Sequence, residues 1–421
     1  MPESDYLNRE QALEILGIKA ATLYSYVSRG FIRAIPQPGG RASFYLREDV
    51  EKAKARAEAR AGHGPVAASA MRWGEPVIQT GITEITPQGP RYRARLATDL
   101  AREGVSFEGV AEYLWSGLYH DDIGLSTMVR WPSPPLQEAV SVWIQQAAQL
   151  HDNAHILQLM SVVTNGLGIA EGSRSERIAS GATAVQSARR LIRALAGTFG
   201  FLGGKRSFYA LKEGESIVTG VLAALGRADD ETTNRALQQA LVLCADHELN
   251  PTTFAARVAA STGADLHSCV GAALGAHFGS LVGAMPDKVE EMFAMPVDEK
   301  AILSTIKRLT EAARNPPGFN HPAYPKGDPR TALLLDVAEQ SASPRTAPEV
   351  HHIRAVLDAA QDQFGALPAI EMGLVTVSRA LDLPAGTASG LFALGRSAGW
   401  VAHVLEQRLA GFLIRPRAKF V

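Results

Sequence analysis

The chain has 421 residues, of which 46% are hydrophobic and 20% are charged, with a formal net charge of −1. This composition excludes a disordered chain and gives no whole-chain argument for attraction to nucleic acid or membranes. The length suits two or three domains with a large core. Cys244 and Cys269 lie in apolar helical patterns without metal-ligand spacing, and no long apolar run is present. We therefore expect a soluble, cytoplasmic protein with no membrane segment and no metal site.

Residues 5 to 60 predict a small unit made of a helix, a tight turn, a second helix, a hairpin and a third helix. Asn8 suits the N-cap of the first helix, and Gln11 completes a capping box with it. Gly17 ends that helix, and Gly39-Gly40 fits a hairpin. The small residues 62–70 predict a linker, so residues 1–61 form the first domain.

This N-terminal pattern resembles the winged helix-turn-helix of the MerR and excisionase group. The resemblance implies that the helix from Lys19 to Val27 faces the major groove, with DNA contacted through residues 5–50. Residues 1–60 carry ten Lys or Arg and eight Asp or Glu, and this net charge of +2 is weak for a DNA-binding domain. DNA binding and a purely structural role in protein association therefore both remain open.

The stretch GFNHPAYPKGDPR, from Gly318 to Arg330, is the strongest chemical signal in the remaining chain. Its Gly and Pro residues exclude a helix interior and predict a rigid turn. A guanidinium such as Arg330 can hold a carboxylate through two hydrogen bonds, and an imidazole such as His321 can donate to a carbonyl oxygen. Taken alone, the stretch still favours an ordinary surface turn with a helix-capping Asp.

Together with three other segments and a C-terminal tail, this turn resembles the citrate synthase family over residues 72–421. The others, in order, are ADHELNPTTFAARVAAS (Ala245–Ser261), GSLVGAM (Gly279–Met285), LFALGRSAGWVAHVLEQ (Leu391–Gln407) and IRPRAKF (Ile414–Phe420). The resemblance implies an all-α fold that opens with a short β-hairpin. It implies a large helical domain of residues 71–250 and 375–421 and a small one of residues 251–374.

The resemblance also implies a reaction that joins an acyl-CoA to a keto acid, with the CoA thioester as co-substrate and no permanently bound cofactor. His247 and His321 match the histidines that act on the keto acid. Arg330 and Arg396 match arginines that bind its carboxylates. Arg415 matches an arginine that reaches the site of a partner subunit, which implies a homodimer or a higher oligomer.

One position of the implied catalytic machinery lacks its expected chemistry. Where the family has a histidine that stabilises the enol oxygen, this chain has Val282, which has no hydrogen-bond donor. Ser280 is a weak substitute. His277 lies five residues upstream and would point about 140° away on a continuous helix, so the sequence does not favour it as the missing donor.

Two further positions depart from the family. Glu371, in Ala369-Ile370-Glu371, aligns with the aspartate that acts as the base, and its carboxylate is one methylene longer. Pro325 replaces a basic residue, which leaves the neighbouring Lys326 as the residue for CoA phosphates.

Two functions follow as hypotheses. The preferred one is a citrate synthase-like acyltransferase that makes or breaks a carbon–carbon bond, with altered residues and an altered substrate. The alternative is a DNA-binding metabolite sensor with an inactive body, favoured by the appended N-terminal unit and by Val282. A structural paralogue that tunes another subunit is a third possibility.

Overall fold

A computed structural model of the chain describes most of the sequence, and its contacts divide the chain into two units. One comprises Met1–Gln79 with Arg415–Val421, and the other comprises Thr80–Ile414. The described residues are 6–28, 32, 34–36, 43–47, 49–51, 53–54, 78–118, 131, 136, 138–149, 154–172, 181–294, 299–312 and 314–416. The predicted linker at 62–70 and the glycine pair Gly39-Gly40 lie outside them.

Among its described residues, the N-terminal unit has two bounded helices, further helical residues at 49–51 and 53–54, and a small antiparallel sheet in the order β1-β3-β2. Its elements are β1 (Tyr6–Leu7), α1 (Arg9–Leu16), α2 (Ala20–Ser28), β2 (Ala34–Pro36) and β3 (Ser43–Leu46). The predicted capping box is confirmed, since Asn8 and Gln11 exchange two hydrogen bonds between side chain and backbone. Gly17 ends α1 in the left-handed conformation at φ 62°, as predicted. The use of this unit for DNA binding stays a prediction.

The second unit opens with the predicted β-hairpin and is helical thereafter, which confirms the all-α expectation. The hairpin and its third strand are β4 (Thr83–Thr86), β5 (Gly89–Tyr92) and β6 (Arg95–Leu96). The helices that follow are α3 (Ala97–Arg102), α4 (Phe107–Ser116), α5 (Glu138–Ala148), α6 (Ile156–Glu171), α7 (Gly181–Gly197), α8 (Ile217–Leu225), α9 (Glu231–Cys244), α10 (Pro251–Ser261), α11 (Leu266–His277), α12 (Met285–Met292), α13 (Glu299–Glu311), α14 (Pro329–Ser341), α15 (Ala347–Phe364), α16 (Ile370–Ala380) and α17 (Thr387–Ala410).

Helix α17 runs through the centre of this unit. Its residues from Thr387 to Val404 are buried without interruption, as expected for a helix that is surrounded by others on all sides. Gly395 and Gly399 let the segment after α9 approach closely, because a β-carbon at Gly399 would lie 2.2 Å from Asp246 Oδ1. This close approach brings the ADHELN segment against α17.

The two cysteines are buried and unpaired with each other, as the apolar pattern predicted. Across the described ranges, no helix is both long enough and apolar enough to span a bilayer. The division of the helical unit into a large and a small domain stays a prediction.

Candidate functional site

His247 is held in a short connection between two well-defined helices. Helix α9 ends at Cys244, and Asn250 caps the start of α10 by accepting hydrogen bonds from the next residues, with Pro251 at its first position. The connection is tight enough to place Glu248 at φ 54°. The His247 side chain is buried, and its Nε2 lies 3.0 Å from the hydroxyl of Tyr324.

The Gly318–Arg330 turn presents His321 to the same place. The ring centroids of His247 and His321 are 5.0 Å apart, and Tyr324 packs against both rings. His321 Nδ1 accepts a hydrogen bond of 3.1 Å from the backbone N–H of Ala323. The neutral imidazole must therefore carry its proton on Nε2, which leaves that nitrogen as a donor.

Arg330 lies in the first turn of α14, in a fully buried ion pair with Asp328. Asp328 caps α14 and accepts from Arg330 Nε at 3.0 Å and from Nη2 at 2.7 Å. The guanidinium also lies over the Tyr324 ring at 5.4 Å. Arg330 Nη1 is buried without a hydrogen-bond partner among the described residues. One nitrogen of this fork therefore remains for a ligand.

Arg396 projects from the middle of α17 and is 3% exposed. Its Nε donates to the carbonyl oxygen of Cys244 at 2.8 Å, and its Cζ lies 5.2 Å from the Phe392 ring centroid. Within the described ranges no carboxylate lies within ion-pair distance of it. A buried guanidinium without an ion-pair partner is costly unless an anion completes the site.

The electrostatic environment keeps both histidines neutral. Burial and the cations Arg330 and Arg396 hold the pKa of His247 well below its usual 6.5. Burial and Arg330 lower the pKa of His321 to about 4. At neutral pH each ring can donate a hydrogen bond without adding positive charge beside the guanidinium groups.

Glu371, on α16, is a carboxylate whose pKa is influenced by the same two cations, Arg330 and Arg396. It is the second residue of that helix, and burial raises its pKa above the usual carboxyl value. Arg330 and Arg396 oppose that rise. A carboxylate whose pKa is raised by desolvation is a stronger base than one in water.

A buried polar network behind the site was missed by the sequence reasoning. His403 Nε2 lies 3.2 Å from Asp246 Oδ2, beside His247 in the chain. Arg257 reaches the same region and donates to Glu406 at 2.6 Å. Although burial alone would raise the pKa of Asp246, His403 keeps it below the usual value. The spacing of seven residues between Arg396 and His403, two turns of one helix, is the signal that could have found it.

The segment that carries Val282 differs from the prediction made for it from the sequence. Helix α11 ends at His277, and residues 278–284 form turns rather than helix. The Gly283 N–H returns to the carbonyl oxygen of His277 at 2.9 Å. The 140° separation assumed a continuous helix, so that reason for setting His277 aside was wrong. Ser280, the other substitute, is exposed on this turn.

Two of the predicted residues lie at the surface. Lys326 and Arg415 are both exposed, and their roles toward CoA phosphates and a partner subunit stay predictions. The residues that do converge are His247, His321, Arg330, Arg396 and Glu371, joined by contacts through Tyr324 and by shared electrostatic influence.

The buried histidines predict a loss of stability in acid. Their folded-state pKa values are depressed, to about 4 for His321 and about 3 for His277, against 6.5 in the unfolded chain. Between these pH values the unfolded state binds more protons than the folded state does. The free energy of unfolding is therefore highest above about pH 6.5 and decreases as the pH falls toward 3. For His277 alone we expect a decrease of roughly 2 kcal/mol from pH 7 to pH 5.

Urea unfolding at several pH values measures this effect. The His277→Phe variant lacks one of the titrating groups, so its free energy of unfolding should depend less steeply on pH than that of the wild type. Parallel curves for the two proteins would contradict the prediction.

Most of the chain is similar to known proteins. Residues 70–417 match the family described as "Citrate synthase, C-terminal domain". The chain is 29% identical over 366 residues to citrate synthase of Mycolicibacterium smegmatis, covering 82% of this chain and 92% of that one. It is 27% identical over 360 residues to 2-methylcitrate synthase of Mycobacterium tuberculosis, covering 82% and 88%.

A solved structure shows the same fold. It is the ternary complex of carboxymethyl coenzyme A and oxaloacetate with citrate synthase from Thermoplasma acidophilum. The TM-score is 0.69 at 22% identity, and the match covers 84% of this chain and 96% of that chain.

Proposed function

Because this chain belongs to the citrate synthase family, we propose that it is a CoA-dependent acyltransferase that makes or breaks a carbon–carbon bond between an acyl-CoA and a keto acid. In the forming direction, the Glu371 carboxylate removes a proton from the carbon next to the thioester carbonyl. The resulting enol carbon attacks the keto carbon. Hydrolysis of the thioester then releases free CoA.

The observation that carries the proposal is the pair of incompletely partnered, buried guanidinium groups beside a neutral histidine donor. Arg330 Nη1 and the terminal nitrogens of Arg396 are suited to the carboxylates of a keto acid. His321 Nε2–H is suited to the keto oxygen, where negative charge develops as the new bond forms. Tyr324 lies within hydrogen-bond distance of His247, and its ring packs against His321 and the Arg330 guanidinium.

The expected substrate classes follow from the similar proteins. The Thermoplasma protein was solved with oxaloacetate and carboxymethyl coenzyme A, and one relative is a 2-methylcitrate synthase. We therefore expect oxaloacetate or a similar keto acid, with acetyl-CoA or a slightly larger acyl-CoA. We expect Lys326 to meet CoA phosphates and Arg415 to complete the site of a partner subunit in a homodimer.

Thiol release by the purified protein tests this function. Acetyl-CoA and propionyl-CoA are each mixed with a panel of keto acids, and free CoA is followed with a thiol reagent. We expect release that depends on both substrates for at least one pair. The matched control is His321→Ala, which removes the keto-oxygen donor and should lower kcat by about 10²–10³. No release with any pair would contradict the proposal.

A second candidate function is a metabolite-responsive DNA-binding protein. It is favoured by the two helices and three-stranded antiparallel sheet of the N-terminal unit. Absence of thiol release, together with a tight mobility shift on DNA from the protein's own promoter that oxaloacetate alters, would favour this function. Thiol release without a shift would leave the N-terminal unit a role in protein association.

A further inference from the structure

His277 is a buried histidine that the reaction described so far does not use. Its side chain is 0% exposed, and neither ring nitrogen has a hydrogen-bond partner among the described residues. Leaving a buried polar group unpaired costs about 1–3 kcal/mol, and such groups in native proteins call for an explanation. A leucine would fill the same space without that cost.

The ring edge formed by Cδ2 and Nε2 lies against the turn that contains Val282 and Gly283. A β-carbon at Gly283 would lie 2.2 Å from His277 Cδ2 and 2.4 Å from Nε2. Any residue other than glycine would therefore displace the ring. Gly283 follows Val282, so the imidazole lies directly under the segment from which the family presents its enol-stabilising histidine.

The ring also packs against α17, the helix that carries Arg396. The His277 ring centroid is 5.0 Å from that of Phe392 and 5.4 Å from that of Trp400. Arg396 lies four residues from each of them, on the same face of α17, and its guanidinium is above Phe392. The imidazole therefore contacts both the turn that contains Val282 and Gly283 and the aromatic side chains that flank Arg396 on α17.

The charge state of the ring suits a hydrogen-bond donor. Burial and Arg396 lower the pKa of His277 to about 3. A neutral imidazole keeps one N–H for donation, and it does not repel the guanidinium beside it. A neutral donor can stabilise a developing enolate without first giving up its proton.

We propose that His277 is the donor to the thioester oxygen of the acyl-CoA, in place of the imidazole that Val282 cannot supply. When Glu371 takes the α-proton, the C–H electron pair forms the C=C bond and the carbonyl π pair moves to oxygen. His277 donates its N–H to that oxygen and keeps its proton. The electrons then return as the carbon attacks the keto group. This role rests on the proposed function.

The test is His277→Phe, which removes the donor and keeps a flat ring of similar size. We expect kcat to fall by about 10²–10³, while the KM for the keto acid stays within about twofold. The matched control is His267→Phe, because His267 is a buried histidine at the other end of the same helix, packed against Gly168. That variant should keep kcat within about threefold of the wild type.

A second substitution separates donation from packing. Adding Val282→His to His277→Phe returns a donor to the neighbouring turn, and we expect kcat to recover at least tenfold. A packing role for His277 would not respond to a donor at position 282. The proposal is overturned if His277→Phe keeps near wild-type kcat, or if the double variant binds keto acid normally yet recovers nothing. An inactive wild-type protein would contradict the proposed function as well. An active wild type with an equally active His277→Phe variant would contradict the role of His277 alone.

Discussion

Replacement of Glu371 by Gln is expected to lower kcat for thiol release by about 10²–10⁴, the usual contribution of a positioned general base. The amide fills nearly the same volume but cannot accept the α-proton. Among the described residues, the Arg330 side chain pairs with Asp328 and makes no hydrogen bond with Glu371, so the KM for the keto acid should change little. Steady-state kinetics with the pair found active by thiol release measures both quantities.

The companion variant is Glu371→Asp, which keeps a carboxylate but shortens its reach. Because a misplacement of about 1 Å can reduce the rate by about 10², we expect Asp to fall between Glu and Gln. That order would show that the pocket has adjusted to the longer side chain. A Gln variant as active as the wild type would remove Glu371 from the mechanism.

Replacement of Asp328 by Asn is expected to have the largest effect on stability. The Asp328 and Arg330 side chains are 0% and 1% exposed, and two hydrogen bonds join them. Breaking a buried pair leaves an uncompensated charge, which typically destabilises a protein by about 3–5 kcal/mol. Asn can still cap α14, so the loss reports the charge rather than the cap. Urea unfolding of the two proteins measures the difference.

A keto acid should partly restore this variant. With the carboxylate of Asp328 gone, the whole Arg330 fork is open to an anion, so oxaloacetate should raise the melting temperature of the variant more than that of the wild type. The matched control is Asp336→Asn on the same helix, whose side chain is 57% exposed in an ion pair with Arg354. Exposed pairs contribute about 0–1 kcal/mol. Equal losses for the two variants would contradict the argument.

Local sequence signals predicted both ends of the first helix, α1. The capping box at Asn8 and the left-handed Gly17 follow from side-chain and backbone rules that act within four residues. The opening hairpin and the predominance of helix were likewise predicted. The Gly318–Arg330 turn was found as a rigid loop, because its Gly and Pro residues exclude a helix interior wherever they occur.

The resemblance pointed to His247, His321 and Arg330, but no sequence pattern predicted how these residues contact each other. The contact of Tyr324 with His247 depends on the packing of two segments that lie 77 residues apart in the sequence. The Asp246–His403 contact depends on the closeness that Gly399 permits between two segments. No local pattern encodes such pairs, since each is set by how helices pack.

By itself, the sequence determined the residue types available for chemistry: two histidines and two arginines in recognisable motifs, a carboxylate at 371, and no side-chain hydrogen-bond donor at 282. The tertiary structure decided which of them share one buried region and in what state. Burial and neighbouring cations make the histidines neutral, and Asp328 occupies part of Arg330. The end of α11 at His277 and the return of Gly283 over its ring were decided there as well. The physical reason is that desolvation and close packing arise only when distant segments meet.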